Sequence, residues 1–264
     1  FASVHAEPPR YPLPVKSQLK RDRINEAAKI IAITATKGDR SKDFFPEGFD
    51  QSSIYSNEVI PERSQSTRIT WLGHAAVLIQ VQGLNILTDP VLGDLSSIHK
   101  RMVRKVDPKT LPPIDLILIS HDHRDHFDTE SLMAIAQKSP DVRIFVPRGD
   151  RALALETGIK NVSEFSWGDI EQVRDVKFIF LASKHWSGRG VRDAYDAAWG
   201  SWMITSSQST IYFGGDSGFD ENLYATIGRY YHIDIALMPV GPVNPRKLME
   251  ATHMSPSEVS SAFE

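Results

Sequence analysis

The sequence predicts an α/β fold in which β-sheets form the framework and helices lie on the outside. Three observations lead to this class. Early apolar runs follow one another across short turns, with Gly83 between two of them, as in β-hairpins. Later apolar runs alternate with segments whose apolar residues recur at helical spacing. Hydrophobic residues make up 41% and charged residues 24% of the 264 residues, as in globular proteins with a packed core.

The strands are predicted from apolar or alternating runs bounded by turn residues. They cover residues 67–72, 75–82, 84–88, 114–120, 142–146, 176–182, 201–206, 210–213 and 233–239. Helices are predicted where apolar residues share one helical face, at 22–38, 129–138, 151–157, 221–229 and 246–251. A last helix begins at Ser255-Pro256-Ser257-Glu258, which supplies an N-cap, a proline in the first turn and a capping-box glutamate.

The chain divides near residue 67 into an N-terminal arm and a folded domain. Residues 1–20 are rich in proline and polar residues, and residues 39–66, which follow the predicted helix 22–38, are predicted to form a long loop. We therefore predict an arm at 1–66 and one domain at 67–264. The apolar side of the arm helix, with Phe44, Phe45 and Phe49, either packs on the core or makes peripheral contact with a membrane.

Charge and composition exclude several function classes. Lys and Arg number 30 and Asp and Glu 33, which gives a net charge of −3 and argues against a nucleic-acid partner. The sequence contains no run of about 18 apolar residues, so no membrane-spanning helix is predicted within it. The chain has 0 cysteines, so disulfides, thiolate zinc sites and cysteine nucleophiles are excluded. Any metal is bound by imidazole and carboxylate groups.

The cellular location is expected to be cytoplasmic or at a membrane periphery. The absence of cysteine fits a reducing compartment. Val4 and Ala6 are also spaced as the residues that precede a signal-peptidase cleavage site, so a remnant of a signal peptide is an alternative reading of the first residues.

The segment after the fourth predicted strand concentrates metal-binding side chains: His121, His123 and His126, with Asp122 and Asp125 between them. If the chain stays extended, His121 and His123 point the same way and bind one ion. Asp125 and His126, past a bend, then face a second. A single histidine is more often a surface or core side chain than a ligand, but three within six residues favour a metal site. Such donors suit zinc, manganese or iron.

Three further residues lie where a site at strand ends would need them. His185 and Asp216 each follow an apolar strand, and His253 precedes the last helix. Each alone is ambiguous, but their shared placement supports them as a set. The string Gly215-Asp216-Ser217-Gly218 also matches chymotrypsin-like serine proteases, whose usual cysteines and disulfides this chain lacks.

Together these residues resemble the metallo-β-lactamase fold, a four-layer αββα sandwich. The string His121-x-His123-x-Asp125-His126, followed by His185 and Asp216, points to the fold. Further strings resemble the branch typified by N-acyl-phosphatidylethanolamine-hydrolysing phospholipase D and its bacterial relatives. They are Trp71-Leu72-Gly73-His74-Ala75, Leu87-Thr88-Asp89-Pro90, Leu111-Pro112-Pro113-Ile114-Asp115, His185-Trp186-Ser187, Trp199-Gly200-Ser201-Trp202, Gly214-Gly215-Asp216-Ser217-Gly218, Pro245-Arg246 with Met249, and His253-Met254-Ser255-Pro256.

The resemblance implies a role for each site residue. The first of two zinc ions, with manganese or iron(II) as alternatives, would be bound by His121, His123 and His185. Asp125 and His126 would bind the second, and Asp216 would bridge both. Asp125, Asp216 and His253 are the implied catalytic residues, with His253 beside the metals, where it contacts the phosphate or the leaving group. A last metal-binding histidine of the family would lie beyond Glu264, so we expect the domain 67–264 to be incomplete at its C-terminus.

The implied function is a zinc-dependent phosphodiesterase of phospholipase D type that cleaves N-acyl-phosphatidylethanolamine or a related lipid with metal-bound hydroxide. Two alternatives stay open. One is a hydrolase of the same fold that acts on a lactone or a small phosphodiester, since one fold hosts many reactions. The other is a metal-binding scaffold without catalysis. The expected partner is a phospholipid or another ester substrate, and a homodimer is an alternative to a monomer.

Overall fold

The computed structural model of the chain describes residues 58–94, 105–190 and 192–264. Two β-sheets lie at its centre. The first has the strand order β1-β2-β3-β4-β5-β6. Its strands are β1 Arg68–Gly73, β2 Ala76–Val81, β3 Leu84–Thr88, β4 Leu116–Leu118, β5 Arg143–Pro147 and β6 Asn161–Phe165. Strands β1 to β3 form antiparallel hairpins, whereas β3 to β6 are parallel.

The second sheet has the strand order β11-β10-β9-β8-β7. Its strands are β7 Ile170–Val173, β8 Val176–Leu181, β9 Ser201–Thr205, β10 Thr210–Phe213 and β11 Ile235–Leu237. Strands β7 to β10 are antiparallel, and β11 joins β10 in parallel. Because β8 and β10 both oppose β9, they run in the same direction and end at the same edge.

Helices cover the outer face of each sheet. They are α1 Thr129–Lys138, α2 Arg151–Glu156, α3 Glu221–Tyr230, α4 Arg246–Met249 and α5 Pro256–Phe263. Leu132 and Ile135 of α1 pack on the first sheet, and Tyr224 and Ile227 of α3 pack on the second. No helix in this part of the chain is long and apolar enough to cross a bilayer.

The main core lies between the two sheets. Phe145 of the first sheet contacts Phe178 and Trp202 of the second, with ring centroids 5.7 and 5.9 Å apart. All three side chains are fully buried, and burying such rings is worth several kcal/mol each when compared with truncation to alanine. This packing confirms the four-layer αββα sandwich.

Most predicted elements are confirmed, and the differences have physical causes. Strands β6 and β7 were not predicted, because each lies at a sheet edge; β6 buries only Val162 and Phe165, and no side chain of β7 is fully buried. The predicted strand 114–120 is shortened to β4. The amides of Ile114 and Ser120 donate to side chains, Ser139 Oγ and Asp89 Oδ1, instead of to a neighbouring strand. The capping box of the last helix is present.

Residues 58–66 contain no helix or strand, in agreement with the predicted loop at 39–66, whose earlier residues lie outside the described part of the chain. The remaining predictions for the arm lie outside the described residues. These are the helix 22–38, the loop around Phe44, Phe45 and Phe49, and the cleavage-site reading of Val4 and Ala6.

Candidate metal centre

The candidate site lies where strands of both sheets end. Asp89 follows β3, and Ser120 to His126 follow β4, which is parallel to β3. His185 and Asp216 follow β8 and β10, which end at the same edge of the second sheet. Gly215 lets the two loops approach, because a Cβ there would lie 2.5 Å from the Cβ of Ser120. Its positive φ of 57° also favours glycine.

The loop after β4 turns as the sequence predicted. The amides of His126 and Phe127 donate to the carbonyl of His123, at 2.9 and 2.8 Å. The turn separates His121 and His123 from Asp125 and His126. The two pairs therefore face different parts of one site.

Three imidazole nitrogens meet at the first part of this site. Nδ1 of His123 lies 2.8 Å from Nε2 of His121 and 3.2 Å from Nε2 of His185. The three side chains form one group whose ligand atoms lie within 4.8 Å of one another. Two ligands about 2.0–2.1 Å from a tetrahedral ion lie about 3.4 Å apart. The spacing of these nitrogens is therefore close to that of ligands sharing one ion.

Hydrogen bonds orient two of these rings. Nδ1 of His185 donates to the carbonyl of Thr252 at 3.1 Å, which leaves the lone pair on Nε2. Ser120 Oγ donates to Asp89 Oδ2 at 2.5 Å and lies 2.9 Å from Nδ1 of His121. Since the hydroxyl proton is used on Asp89, Nδ1 of His121 is the donor and its Nε2 also keeps a lone pair. Partners of this kind hold metal-binding histidines in the required tautomer.

His123 is oriented by packing instead. Its Nε2 is buried and has no hydrogen-bond partner among the described residues. The ring lies against the indole of Trp186, with centroids 4.2 Å apart and a T-shaped arrangement.

Asp216 connects the first part of the site to the second. Its Oδ2 lies 3.2 Å from Nε2 of His126 and 3.7 Å from Nε2 of His185. The same oxygen lies 3.7 Å from Nδ1 of His253. The Oδ2 atom of Asp216 thus lies near one imidazole of each predicted metal position. It also lies near the imidazole of His253.

Two residues of the site were not assigned a role from the sequence. Asp89 accepts from Nδ1 of His126 at 2.7 Å, and His74 Nε2 lies 3.5 Å from Asp125 Oδ2. Each residue forms part of a group that could hold a metal, together with His126. Asp89 carried a usable signal, because it follows an apolar strand as His121 and Asp216 do. His74 carried none beyond its place in one of the family-like strings.

The electrostatics of the site favour cation binding. Burial lowers the pKa of His121 and His185 well below the usual value, and lowers that of His123 to about 4. These imidazoles are therefore neutral and retain their lone pairs. Burial alone would raise the pKa of Asp216, but the neighbouring imidazoles, His126 above all, hold it well below its usual range.

His126 behaves differently from the other three. Burial lowers its pKa, but the carboxylates of Asp216 and Asp89 outweigh this and raise it well above the usual value. His126 Nε2 is buried without a hydrogen bond among the described residues, although Asp216 Oδ2 lies 3.2 Å away. A cation held by these two atoms can replace the Nε2 proton, so the features fit an imidazole and carboxylate site for a divalent metal such as zinc, manganese or iron.

All the residues that the sequence nominated are therefore brought together. His121, His123 and His185 form one group, and Asp125 and His126 belong to another. Asp216 lies beside both groups, and His253 lies beside Asp216 and His185.

Comparisons with known proteins identify the family of the chain. Residues 84–264 match the family described as "Beta-lactamase superfamily domain". N-acyl-phosphatidylethanolamine-hydrolyzing phospholipase D 1 of Caenorhabditis elegans is 31% identical over 205 residues, which is 72% of this chain and 58% of that protein. The mitochondrial protein of the same enzyme name from Saccharomyces cerevisiae is 34% identical over 203 residues, 72% of this chain and 43% of that protein. The chain thus spans about half the length of these two relatives.

Other similar proteins are named as metal-dependent hydrolases. A metal-dependent hydrolase of Methanopyrus kandleri is 28% identical, with 73% of this chain and 81% of that protein covered. The solved structure of a metallo hydrolase from Ignicoccus hospitalis superposes with a TM-score of 0.56 at 20% identity, covering 74% of this chain and 76% of that one. At this identity the superposition supports the fold alone. The family match and the relatives show that the chain belongs to the β-lactamase superfamily, and its structure has the metallo-β-lactamase fold.

Proposed function

We propose that this protein is a metal-dependent hydrolase, a phosphodiesterase of phospholipase D type, with two zinc ions and with N-acyl-phosphatidylethanolamine or a related lipid as substrate. The observation that carries the proposal is the position of Asp216 Oδ2, which faces an imidazole of each metal group at 3.2 and 3.7 Å. Paired metal ions about 3.5–4 Å apart are typical of enzymes that cleave phosphate esters. The two relatives at 31% and 34% identity support the lipid substrate, since both are named for it.

In this proposal the metal ligands are divided between the two groups. His121, His123 and His185 would hold the first ion, and Asp125 and His126 would contribute to the second. Asp216 would be a ligand available to both, since its Oδ2 lies near an imidazole of each group. When bound, such ions lower the pKa of a coordinated water from about 15.7 to about 7 and polarise the phosphoryl oxygen.

The protein's own side chains then orient the reactants. The Asp125 side chain is 45% exposed, so it can accept a hydrogen bond from the attacking water at the open side of the site. The His253 ring lies 5.2 Å from that of His185 and is 15% exposed. From there its imidazole donates a proton to the leaving oxygen. The products are a phosphatidic acid and an N-acylethanolamine.

A second candidate is a hydrolase of a lactone or a small phosphodiester. The relative from Methanopyrus kandleri supports it, because that protein is named a metal-dependent hydrolase and its name states no lipid substrate.

A substrate panel tests the two candidates. The full chain, loaded with zinc, is assayed on N-acyl-phosphatidylethanolamine in mixed micelles, on bis(p-nitrophenyl) phosphate and on an acyl lactone. The proposal expects phosphatidic acid as a product and a kcat/KM for the lipid that exceeds the other two. Faster lactone or small-phosphodiester cleavage, or no lipid cleavage, contradicts it. His121→Ala should abolish turnover, whereas His232→Ala, at a side chain that is 96% exposed, should not.

A further inference from the structure

An exposed arginine, Arg124, lies in the loop that follows β4, between His123 and Asp125. Its Cα is therefore about 3.8 Å from the Cα of each of these two candidate metal ligands. The Asp125 side chain is 45% exposed, so this part of the loop lies at the open side of the site. Arg124 thus supplies a guanidinium group at the edge of the metal centre.

The guanidinium of Arg124 is anchored at one nitrogen. Its Nε donates to the backbone carbonyl of Arg189 at 3.2 Å. Its two Nη groups have no hydrogen-bond or ion-pair partner among the described residues. Because an arginine presents its N–H groups as a planar fork, both remain able to bind the oxygens of a carboxylate or a phosphate.

The residue that anchors Arg124 is itself held in place. Nη1 of Arg189 donates to the carbonyls of Asp122 and Phe127, at 3.0 and 2.8 Å. The guanidinium carbon of Arg189 also lies 5.6 Å from the centre of the Phe127 ring. Its backbone amide donates to Asp193 at 3.0 Å. Arg124 is therefore fixed at Nε to a well-supported loop.

The two arginines place like charges close together. Burial and then the charge of Arg124 lower the pKa of Arg189, although nearby carboxylates, Asp122 first, oppose the shift. Arg189 thus has carboxylates near it, whereas Arg124 has no carboxylate partner in the described part of the chain. An excess of positive charge at this edge favours an anionic group of a ligand.

We propose that Arg124 is a specificity-determining residue that binds a second oxyanion of the substrate, a carboxylate or phosphate beyond the scissile phosphodiester. The inference rests on the proposed function only in placing a phosphate group at the metals. Arg124 would contact this second group through its Nη atoms, away from the reacting atoms. The preferred headgroup then carries one more negative charge than an N-acylethanolamine.

A binding measurement tests this independently of turnover. The zinc-loaded full chain is titrated calorimetrically with hexylphosphonate and with its analogues that end in a carboxylate or in a second phosphonate. We expect at least one of the two analogues to bind at least about fivefold more tightly than hexylphosphonate, as an accessible bidentate pair would provide. Arg124→Gln should abolish this preference, and Arg124→Lys should keep only part of it. Arg229→Gln, at an exposed arginine of α3, should keep all of it.

Turnover of short-chain N-acyl-phosphatidylserine and N-acyl-phosphatidylethanolamine, which differ by one carboxylate, shows whether the substrate itself supplies a carboxylate as the oxyanion. A preference for the serine lipid through a lower KM, reduced about fivefold in Arg124→Gln, is expected if it does. An analogue preference without lipid cleavage would overturn only the proposed substrate.

Several outcomes would overturn the inference. These are equal affinities of the wild type for all three phosphonates, an unchanged preference in Arg124→Gln, or stimulation by phosphatidylglycerol vesicles that needs Arg124 while no phosphonate is preferred. The last result would assign Arg124 to a membrane surface. No binding of any phosphonate would overturn this inference together with the metal-bound phosphate of the proposed function.

Discussion

Asp89 accepts a hydrogen bond from Nδ1 of His126 at 2.7 Å, and both side chains are completely buried. The same carboxylate accepts from the amide and the hydroxyl of Ser120, and that hydroxyl in turn orients His121. Burial raises the pKa of Asp89, but the contact with His126 opposes the shift. One buried carboxylate therefore orients one imidazole in each of the two metal groups.

Asp89→Asn should weaken metal binding at both positions. The asparagine is neutral, and if its oxygen accepts from His126 and the Ser120 hydroxyl, its NH2 group faces the Ser120 amide, which is also a donor. Loss of such outer partners typically reduces metal affinity about 10–100-fold. Chelator competition measures the change. Ser120→Ala removes the hydroxyl that contacts His121 and Asp89 but keeps the hydrogen bond between Asp89 and His126, so it should weaken mainly the first position. Equal affinities in Asp89→Asn and the wild type would refute this role.

Trp186 is predicted to hold the ring of His123. Because His123 Nε2 lacks a hydrogen-bond partner among the described residues, the T-shaped contact at 4.2 Å is its main restraint. Trp186→Ala should therefore lower the affinity of the first metal, by about tenfold if packing replaces the usual outer partner. Trp186→Phe keeps a ring edge and should retain most of the affinity. A zinc titration in which the alanine variant matches the wild type would argue against this.

Arg246 is predicted to position His253. Its Nη1 donates to the carbonyl of His253 at 2.9 Å, and its Nη2 bonds both carboxylate oxygens of Glu258. Lysine cannot reproduce this forked arrangement. Arg246→Lys should lower kcat by about tenfold, part of the 10²–10⁴-fold that a general acid contributes, while zinc content stays constant. Lys247→Arg, at the exposed neighbour, is the control, and loss of zinc in Arg246→Lys would place Arg246 in metal binding instead.

Asp150 makes stability depend on pH. Burial, followed by the neighbouring carboxylate of Asp122, raises its pKa to about 9 from an ordinary value of 3.8. Its Oδ2 is buried and has no hydrogen-bond partner among the described residues. The folded state thus keeps a proton that the unfolded state releases between about pH 4 and pH 9. The free energy of unfolding falls there as pH rises, by about 1.4 kcal/mol per pH unit for this group.

Asp150→Asn should remove that dependence, because the amide imitates the protonated acid. The variant should be more stable than the wild type at pH 8, and the difference should shrink towards pH 5. Urea unfolding at both values measures it. Asp141→Asn, at an exposed aspartate, should show no such difference, and a constant offset for Asp150→Asn at both pH values would rule out this origin.

Sequence patterns predicted the parts of the fold that depend on local features. Strand β3 and helix α1 were predicted with the bounds that the structure has, because their apolar patterns are regular and their ends carry turn or cap residues. Asp128, for example, caps α1 by accepting from the amide of Ser131. Edge strands such as β6 bury few side chains, so their sequences carry little signal.

The same contrast applies to the site. His121, His123, Asp125 and His126 were nominated because short spacing concentrates them in one loop. The link between Asp89 and His126 joins residues 37 positions apart, and it depends on β3 and β4 ending side by side. Such pairings follow from sheet order, which the periodicity of a single segment does not contain.

The zinc content and phosphodiester turnover of Asp216→Asn, measured in the full chain, test the two-metal centre most directly. Since Asp216 Oδ2 faces both imidazole groups, its loss should reduce bound zinc below two ions per chain. Turnover should fall at least about 100-fold, because metal stabilisation of the transition state is worth several kcal/mol. Asp175 is exposed and immediately precedes β8, at the end of the strand opposite the site, so Asp175→Asn should retain both properties. Full turnover in Asp216→Asn would contradict a centre of two ions joined by this carboxylate.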